Sequence, residues 1–161
     1  MDFRFIDNSK EVLEALRQAE LRALEKCGLA AEKYAKKLCP VDTGALRNSI
    51  SHKVDSGEPA AYVGTDEEYG SYVELGTGKY YKGGSHGWWV YVDGASQKGK
   101  KGHKTYTYEE AKRVVAILRS KGLDAHMTEG QEAQPFLKPA VADHKGTYKN
   151  IIKSEMKGSS V

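Results

Sequence analysis

Apolar residues recur every three or four positions along the first forty residues of the chain. This spacing places them on one face and predicts an amphipathic helix from Lys10 to Leu38. At ~1.5 Å per residue the helix would span roughly 40 Å, so part of it could pack on another subunit. Asn8 and Glu11 have the spacing of a capping box at its start, and Pro40 ends it. Gly28 lies inside the helix and could allow another backbone to pack closely. The apolar stripe consists of Val12, Leu16, Ala19, Ala23, Cys27, Ala30, Tyr34 and Leu38.

Shorter segments with strand and turn patterns follow this helix. We predict strands over residues 46–54, 60–65 and 88–92, and a helical turn over residues 69–75. The last of these strands, with the sequence Trp-Trp-Val-Tyr-Val, carries the strongest strand signal in the chain. The Gly-rich stretches on either side of it predict loops.

The C-terminal third of the chain predicts a β-α-β unit and a final helix. The unit comprises a strand over 105–107, a helix over 108–121 that ends at Gly122, and a strand over 123–128. The final helix covers 136–157 and could kink at Gly146. Its apolar side, expected to face inward, consists of Phe136, Leu137, Val141, Tyr148, Ile152 and Met156.

These elements predict an α+β fold. A small, mostly antiparallel sheet is expected to be packed by the long N-terminal and C-terminal helices, with the β-α-β unit inserted. The chain has 161 residues, which is the usual length of one domain, so we expect a single domain over 1–161 with an insertion at about 98–129.

Composition narrows the class of protein. Hydrophobic residues make up 39% and charged residues 29%, and the formal net charge of +3 is too small to indicate a nucleic-acid-binding protein by itself. Cys27 and Cys39 are separated by about 18 Å of helical rise, which is beyond disulfide reach. A reducing compartment is therefore expected. Without a signal-peptide pattern or an apolar run of membrane-spanning length, we expect folding in a cytoplasm and no membrane partner.

The tripeptide Asp42-Thr43-Gly44 invites a comparison with aspartic proteases. Those enzymes need two such carboxylates sharing a proton, on loops that follow apolar strands. Here a predicted helix and Pro40 precede the tripeptide. A turn in which the Asp42 side chain accepts hydrogen bonds from backbone N–H groups ahead of it explains the pattern better. The protease stays as the less favoured alternative.

The remaining ionisable residues show no catalytic, metal-binding or cofactor-binding pattern. The five histidines and two cysteines lack the spacing of metal ligands. No nucleophile has a neighbouring histidine and acid in the sequence. We therefore predict no catalytic residue, no metal and no cofactor.

Two basic groups and one aromatic group are better candidates for contacts. Lys98, Lys100, Lys101 and Lys104 share one loop, and Lys145, Lys149, Lys153 and Lys157 line one helix face. The lysines could meet phosphates or an acidic protein surface, which gives a nucleic-acid-binding module as an alternative function, or they could simply be solvated. The aromatic group favours a protein interface, although it could equally cover one face of a sheet. It consists of Tyr69, Tyr72, Tyr80, Tyr81, Trp88, Trp89 and Tyr91.

Three sequence blocks together resemble a known family. They are Cys39-Pro-Val-Asp-Thr-Gly-Ala-Leu-Arg-Asn-Ser-Ile50 after the long helix, Tyr72-Val-Glu-Leu-Gly-Thr77, and Gln134-Pro-Phe-Leu-Lys-Pro139. In this order they resemble the tail-component family of tailed bacteriophages, of the lambdoid gene-product-ten type. The segment from about 98 to 129 departs from that shorter pattern and looks like an insertion.

The resemblance implies a structural virion protein without catalytic residues. It implies a tail-completion or neck component at the head–tail junction of a phage, prophage or phage-like contractile particle, made in the bacterial cytoplasm. The implied partners are further copies of the chain, in a homo-oligomer such as a ring, and the neighbouring stopper, terminator and tail-tube proteins. DNA would lie nearby without sequence-specific binding.

The motif residues have physical roles that can be predicted. Gly44 and Gly76 would allow backbone angles that other residues resist, and Arg47 would pair with a carboxylate such as Glu74. The prolines of the third block would set the start of the last helix. The complete set is Pro40, Asp42, Thr43, Gly44, Arg47, Glu74, Gly76, Thr77, Pro135, Phe136 and Pro139.

Overall fold

The computed structural model describes residues 7–84, 86–94 and 104–157. These residues form an α+β structure, as predicted, with two separate two-stranded antiparallel sheets in place of one sheet. The helices are α1 (Ser9–Leu38), α2 (Ala45–Ser49), α3 (Gly70–Leu75), α4 (Tyr108–Ser120), α5 (Leu137–Ala142) and α6 (Lys145–Lys157). The strands are β1 (Ile50–Asp55), β2 (Ala60–Thr65), β3 (Trp89–Val92) and β4 (Ala125–Thr128).

The chain divides into two compact units. The first unit contains Met1–Glu68 and Pro135–Val161, and the second contains Tyr69–Gln134. The second unit includes the predicted insertion at about 98–129 and begins some thirty residues earlier. That both units belong to one folding domain stays a prediction.

Helix α1 is the long helix that the apolar stripe predicted. It has 30 residues and ends where Cys39 adopts an extended conformation before Pro40. The predicted capping box is wrong, because the side chain of Asn8 makes no capping hydrogen bond. The Asp7 carboxylate instead accepts a hydrogen bond from the Ser9 N–H at 2.9 Å. A carboxylate at the N-terminus also stabilises the helix, because its negative charge lies near the positive end of the helix dipole.

The hairpin of β1 and β2 packs on α1 in the first unit. Its strands pair antiparallel, with Ile50 opposite Thr65. The strand predicted to begin at residue 46 begins at residue 50, because residues 45–49 form α2. Leu46 and Ile50 are both buried, and their separation of four suits a helical turn as well as an alternating strand. This double fit explains the error.

The predicted last helix is two helices. The break between α5 and α6 falls at residues 143–144, just before the expected kink at Gly146. The His144 ring stacks on Tyr34 of α1, with their centroids 3.4 Å apart. Phe136, directly before α5, is fully buried with Ile50 in the core of this unit.

Part of the predicted inward side of the last helix faces outward. Val141, Ile152 and Met156 are exposed. Helix α6 contacts α1 through its other side, where the Cys27 thiol lies 3.9 Å from the Tyr148 carbonyl oxygen. Glu155 continues this contact as an ion-pair partner of α1.

In the second unit, α4 packs on the β3–β4 pair. Trp89 of β3 lies opposite Thr128 of β4, and α4 buries Ala111 and Val115. The first strand of the predicted β-α-β unit is wrong, because residues 105–107 contribute only an isolated bridge between Tyr106 and Trp88. The helix and the second strand are confirmed, and β4 runs antiparallel to β3. Among the described residues, no helix combines the length and the hydropathy needed to cross a membrane.

Candidate functional site

The turn that follows α1 is a corner between two helices. Gly44 has φ +86° and lies directly before α2, which confirms the unusual backbone angle predicted there. The predicted capping by Asp42 is wrong, because Thr43 takes that position: its Oγ1 lies 3.4 Å from the Ala45 N–H, which donates to it. Asp42 is exposed and has a helix on both sides, so the strand-flanked loop of an aspartic protease is not formed.

In the second unit, the second motif block contacts the segment that ends at Gln134, the first residue of the third block. Thr77 is held twice by Gln131: its N–H donates to the Gln131 carbonyl oxygen at 2.9 Å, and its Oγ1 accepts from the Gln131 N–H at 2.9 Å. The Gln134 N–H donates to the Val73 carbonyl oxygen at 2.8 Å. Residues 73–79 and 129–134 are thereby joined, and we call this arrangement the motif clamp.

Gly76 explains why the motif clamp needs a glycine. Its φ is +76°, and a Cβ at this position would lie 2.9 Å from the Gln131 carbonyl oxygen and the Ala133 nitrogen. Any side chain would force the two backbones apart. The role predicted for Gly76 is therefore confirmed.

An ion pair closes the far end of the motif clamp. The Lys79 ammonium pairs with the Glu129 carboxylate, and this hydrogen bond is the main cause that raises the pKa of Lys79. The same ammonium lies 5.1 Å from the centroid of the Tyr80 ring. Lys79 is exposed at the surface, so the pair contributes little to stability.

A groove of about 760 Å³ lies beside the motif clamp. Tyr72 and Leu75 are large apolar side chains on its wall, with 60% and 53% of their surface exposed. Such side chains remain in water unless a partner covers them. The groove is lined by Ser71, Tyr72, Leu75, Gly76, Thr77, Gly78, Tyr81, Gly84, Trp89, Val90, Tyr91 and Thr128.

The structure divides the predicted aromatic group. Tyr72, Tyr81 and Trp89 line the groove, whereas Tyr69 and Tyr80 do not, although both are exposed. Trp88 packs edge-on against Tyr108 of α4, with centroids 5.2 Å apart. This internal packing of Trp88 agrees with the second interpretation of the aromatic group, in which the rings cover a sheet.

The predicted loop lysines lie mostly beyond the described residues. Lys98, Lys100 and Lys101 are outside them. The Lys104 ammonium is described, and it lies 4.9 Å from the centroid of the Tyr106 ring, a cation–π contact. Lys145, Lys149 and Lys153 lie together on the outer side of α6, with Lys157 exposed at its end. Arg47 and Glu74 belong to different units, so their pairing stays a prediction.

The lining of the groove is suited to binding a partner through apolar contacts. Its described lining offers aromatic and aliphatic surface, hydroxyl groups and backbone, with no Asp, Glu, His, Lys, Arg or Cys among the residues named above. The groove can bury an apolar partner and orient it through a few hydroxyl groups.

A histidine–carboxylate group at the end of the β3–β4 pair was not predicted from sequence spacing. The His126 Nε2 lies 2.9 Å from an Asp124 oxygen and 3.5 Å from an Asp93 oxygen. The Tyr91 ring stacks on the His126 ring at 5.5 Å. Among the described residues, Asp93, Asp124 and His126 are the group that could hold a metal ion. Both carboxylates are exposed, and the same arrangement suits an ion pair. The antiparallel register brings them together, which sequence spacing alone does not show.

A second unpredicted group joins β1 to α1 in the first unit. The His52 Nδ1 lies 2.5 Å from a Glu32 carboxylate oxygen, and its Nε2 lies 3.1 Å from a Glu25 oxygen. The hydrogen bond to Glu32 is the main cause that raises the pKa of His52. The absence of a side chain at Gly28 leaves the space that the His52 imidazole occupies. The close approach that this glycine could allow is therefore made by a side chain and not by another backbone.

These observations define a small α+β protein whose motif residues build internal corners and whose exposed surfaces are suited to binding other proteins. Residues 3–76 match the family model described as "Bacteriophage HK97-gp10, putative tail-component". The resemblance to this family of phage tail components is therefore confirmed for the part of the chain from before α1 to the Gly76 turn. No curated protein and no solved structure matches the chain.

Proposed function

We propose that this protein is a structural component of the head–tail junction, acting in tail completion or in the neck, of a tailed phage, prophage or phage-like contractile particle. It acts by assembling with further copies of itself and with neighbouring stopper, terminator and tail-tube proteins. The observation that carries the proposal is the exposed aromatic groove whose wall is formed by the family's own motif loop.

The match to a tail-component family supports a structural role in a virion over a catalytic one. The motif clamp holds Val73, Thr77 and Lys79 by hydrogen bonds to residues 129–134, so the groove wall is preorganised for a partner. Aromatic residues contribute much of the binding energy of protein–protein interfaces, and a preorganised surface lowers the cost of binding. Ordering of this wall before binding reduces the entropy lost on assembly.

The proposal also covers where the protein works. As a tail component it is made in the bacterial cytoplasm and incorporated into the particle. DNA passing through the junction lies close to it without being read in sequence. No cofactor and no membrane enter this function.

A pair of tyrosine variants tests the proposal. Tyr72→Ser removes an exposed aromatic ring from the groove, and Tyr62→Ser removes one from β2 in the other unit, where 55% of its surface is exposed. Each is introduced into a host that carries the particle genes with the wild-type copy deleted. Loss of a central aromatic contact typically weakens an interface by about 2 kcal/mol or more, roughly 30-fold.

We expect Tyr72→Ser to reduce the yield of complete particles strongly and Tyr62→Ser to leave it unchanged, with both proteins folded by circular dichroism. Sedimentation of the purified wild type, alone and with the stopper, terminator or tail-tube protein, supplies the direct measure of assembly. Normal particle yield with Tyr72→Ser, together with a wild type that stays monomeric in every mixture, would sink the proposal.

The nucleic-acid alternative is separated by salt dependence. Binding through several lysines would release counterions and weaken steeply as salt rises. A filter-binding titration from about 50 to 200 mM salt would then show a loss of affinity of 10³-fold or more for six to ten phosphate contacts. Weak binding without that steep loss supports the structural role.

A further inference from the structure

The outer side of α5 and α6 forms a second groove, of about 390 Å³, in the first unit. Val141 and Ile152 expose 48% and 44% of their surface on it. Lys145, Lys149 and Lys153 stand around the same apolar floor, together with the edge of Tyr148. Part of the predicted apolar side and three lysines of the predicted lysine face therefore share one surface, which we call the lysine groove.

Contacts of α6 with α1 and with α5 fix the shape of the lysine groove. The Glu155 carboxylate pairs with the Lys26 ammonium at 2.5 Å and with the Arg22 guanidinium at 3.6 Å, both on α1. The Tyr148 hydroxyl donates a hydrogen bond to the Ala140 carbonyl oxygen at 2.6 Å, which ties α6 to α5.

The three lysines are available for a partner. Within residues 7–84, 86–94 and 104–157, no carboxylate pairs with the ammonium of Lys145, Lys149 or Lys153. Their side chains are spaced four residues apart, or about 6 Å along the helix. Lysine stems can lie along apolar surface while their charged ends reach outward, so the rim and the floor can act together.

The shape and charge of the lysine groove select one kind of occupant. An amphipathic helix would place its apolar face on Val141 and Ile152, and carboxylates spaced one turn apart would meet the three ammonium groups. A nucleic-acid backbone would pair with the lysines but leave both apolar side chains in water. Charge complementarity together with the apolar floor therefore favours an acidic protein helix over a phosphate backbone.

We propose that the lysine groove binds an acidic amphipathic helix of a neighbouring protein in the assembled particle. The identity of the neighbour rests on the proposed function, whereas the preference of the groove for such a helix does not. The groove lies in a different unit from the aromatic groove, so the two surfaces can be tested separately.

The test uses the full chain and a synthetic probe. The probe is a fluorescein-labelled helical peptide of about four turns with leucines at i, i+3, i+4 and i+7 spacing and glutamates flanking them. A charge-reversed peptide carries lysines in place of the glutamates, and a short DNA duplex serves as the phosphate probe. Fluorescence anisotropy gives the affinity of each probe.

Two groove variants and one control variant complete the design. Lys149→Glu reverses the charge of the rim, and Ile152→Ser removes apolar floor. Lys112→Glu changes an exposed lysine on α4, in the other unit, and is the matched control. We expect the acidic peptide to bind, Lys149→Glu and Ile152→Ser each to weaken binding about tenfold or more, and Lys112→Glu to have no effect. Lys149→Glu should also improve binding of the charge-reversed peptide.

Several results would overturn the inference. One is acidic-peptide binding that neither groove variant weakens. Another is DNA binding that Lys149→Glu weakens and Ile152→Ser leaves intact, which would assign the surface to phosphates. A third is self-association that both groove variants abolish without any peptide binding, which would assign it to a second copy of the chain. Each of these leaves the proposed function standing, because that function is tested by Tyr72→Ser in the particle.

Discussion

Replacing Gly28 with alanine tests the packing that joins the hairpin to α1. A Cβ at residue 28 would lie 2.5 Å from the His52 Cδ2, closer than real Cβ atoms come to other atoms, and 3.1 Å from its Cγ, a tight contact. The His52 side chain has only 12% of its surface exposed and is held by Glu25 and Glu32. Gly28→Ala must therefore push the imidazole away from both carboxylates.

Two opposing effects decide the magnitude. Alanine in a helix interior is favoured over glycine by about 1 kcal/mol. Hydrogen bonds to charged groups contribute about 1.5–3 kcal/mol each, and displacement of His52 weakens two of them. The loss exceeds the gain, so we expect Gly28→Ala to lower the free energy of unfolding by about 2 kcal/mol. For a chain of this size that corresponds to a fall in Tm of roughly 4–8 °C.

Thermal unfolding at about pH 6 with three further variants isolates the cause. Gly146→Ala, in α6, is the matched control, because a Cβ there would meet nothing within 4 Å and should leave Tm unchanged or slightly raised. His52→Ala removes the obstacle, so adding Gly28→Ala to it should be neutral or stabilising. A rise in Tm for Gly28→Ala alone, or the same fall with and without His52, would refute the reasoning.

The effect should also depend on pH. The hydrogen bond to Glu32 raises the folded-state pKa of His52 above its ordinary value of about 6.5. The stabilisation is therefore fully present below about pH 6.5 and is lost as pH rises through the folded-state pKa. The pKa of Glu32 is lowered, chiefly by the hydrogen bond from Lys36 and then by that from His52, so its share is lost as pH falls through that lowered value. The penalty of Gly28→Ala should be largest between these limits and smaller at pH 9.

Three further variants test the second unit. Gly76→Ala should lower the free energy of unfolding, measured in urea, by about 2 kcal/mol or more, because a Cβ at this positive φ would collide with the Gln131 carbonyl oxygen. The control Gly83→Ala, also at a positive φ but with open space around it, should cost only about 1 kcal/mol. Thr77→Val removes the acceptor for the Gln131 N–H and should cost about 1 kcal/mol, with Thr77→Ser retaining the bond. Thr107→Ala removes the capping box of α4 and should cost about 0.5–2 kcal/mol, and equal stability of Thr107→Ala and Thr107→Ser would contradict the cap.

The sequence predicts an element correctly where the spacing of its apolar residues fits only one type of secondary structure. The apolar stripe of α1 extends over about seven turns, so only a helix satisfies it, and the helix is formed from Ser9 to Leu38. The Trp-rich strand and the helix from Tyr108 are equally clear, and Gly122 has the positive φ expected after that helix. In each case the apolar spacing and the residues at the ends of the element indicate the same structure.

Patterns with two readings gave the errors. Leu46 and Ile50 fit both a strand and a helical turn, and tertiary packing decides between them. The last helix carries two apolar sides, one on α1 and one that includes Val141 and Ile152, and its sequence does not say which side is buried. The side that is buried is the one that packs on α1, a helix more than a hundred residues earlier in the chain.

Contacts between distant residues set the candidate sites. Thr77 meets Gln131 across 54 positions, and His52 meets Glu32 across 20, so neither pair leaves a spacing that a motif search would recognise. The resemblance to tail components identified Thr77 as a motif residue, but only the fold shows that its hydroxyl holds another segment. Motif residues that serve the fold in this way need not lie at the interface themselves.

That distinction bears on how the protein could accept different neighbours. Gly76 and Thr77 fix the position of the groove wall, while the exposed rings of Tyr72 and Tyr81 provide the surface. Substitution of Gly76 or Thr77 should therefore lower the stability of the second unit, whereas substitution of Tyr72 or Tyr81 should change binding and leave Tm intact. The lysine groove has the same division, because Glu155 holds α6 on α1 while Lys145, Lys149 and Lys153 line the outer side of the helix. A structural protein built in this way can keep its fold while its contact surfaces adapt to a neighbour, which is the property that an assembly component requires.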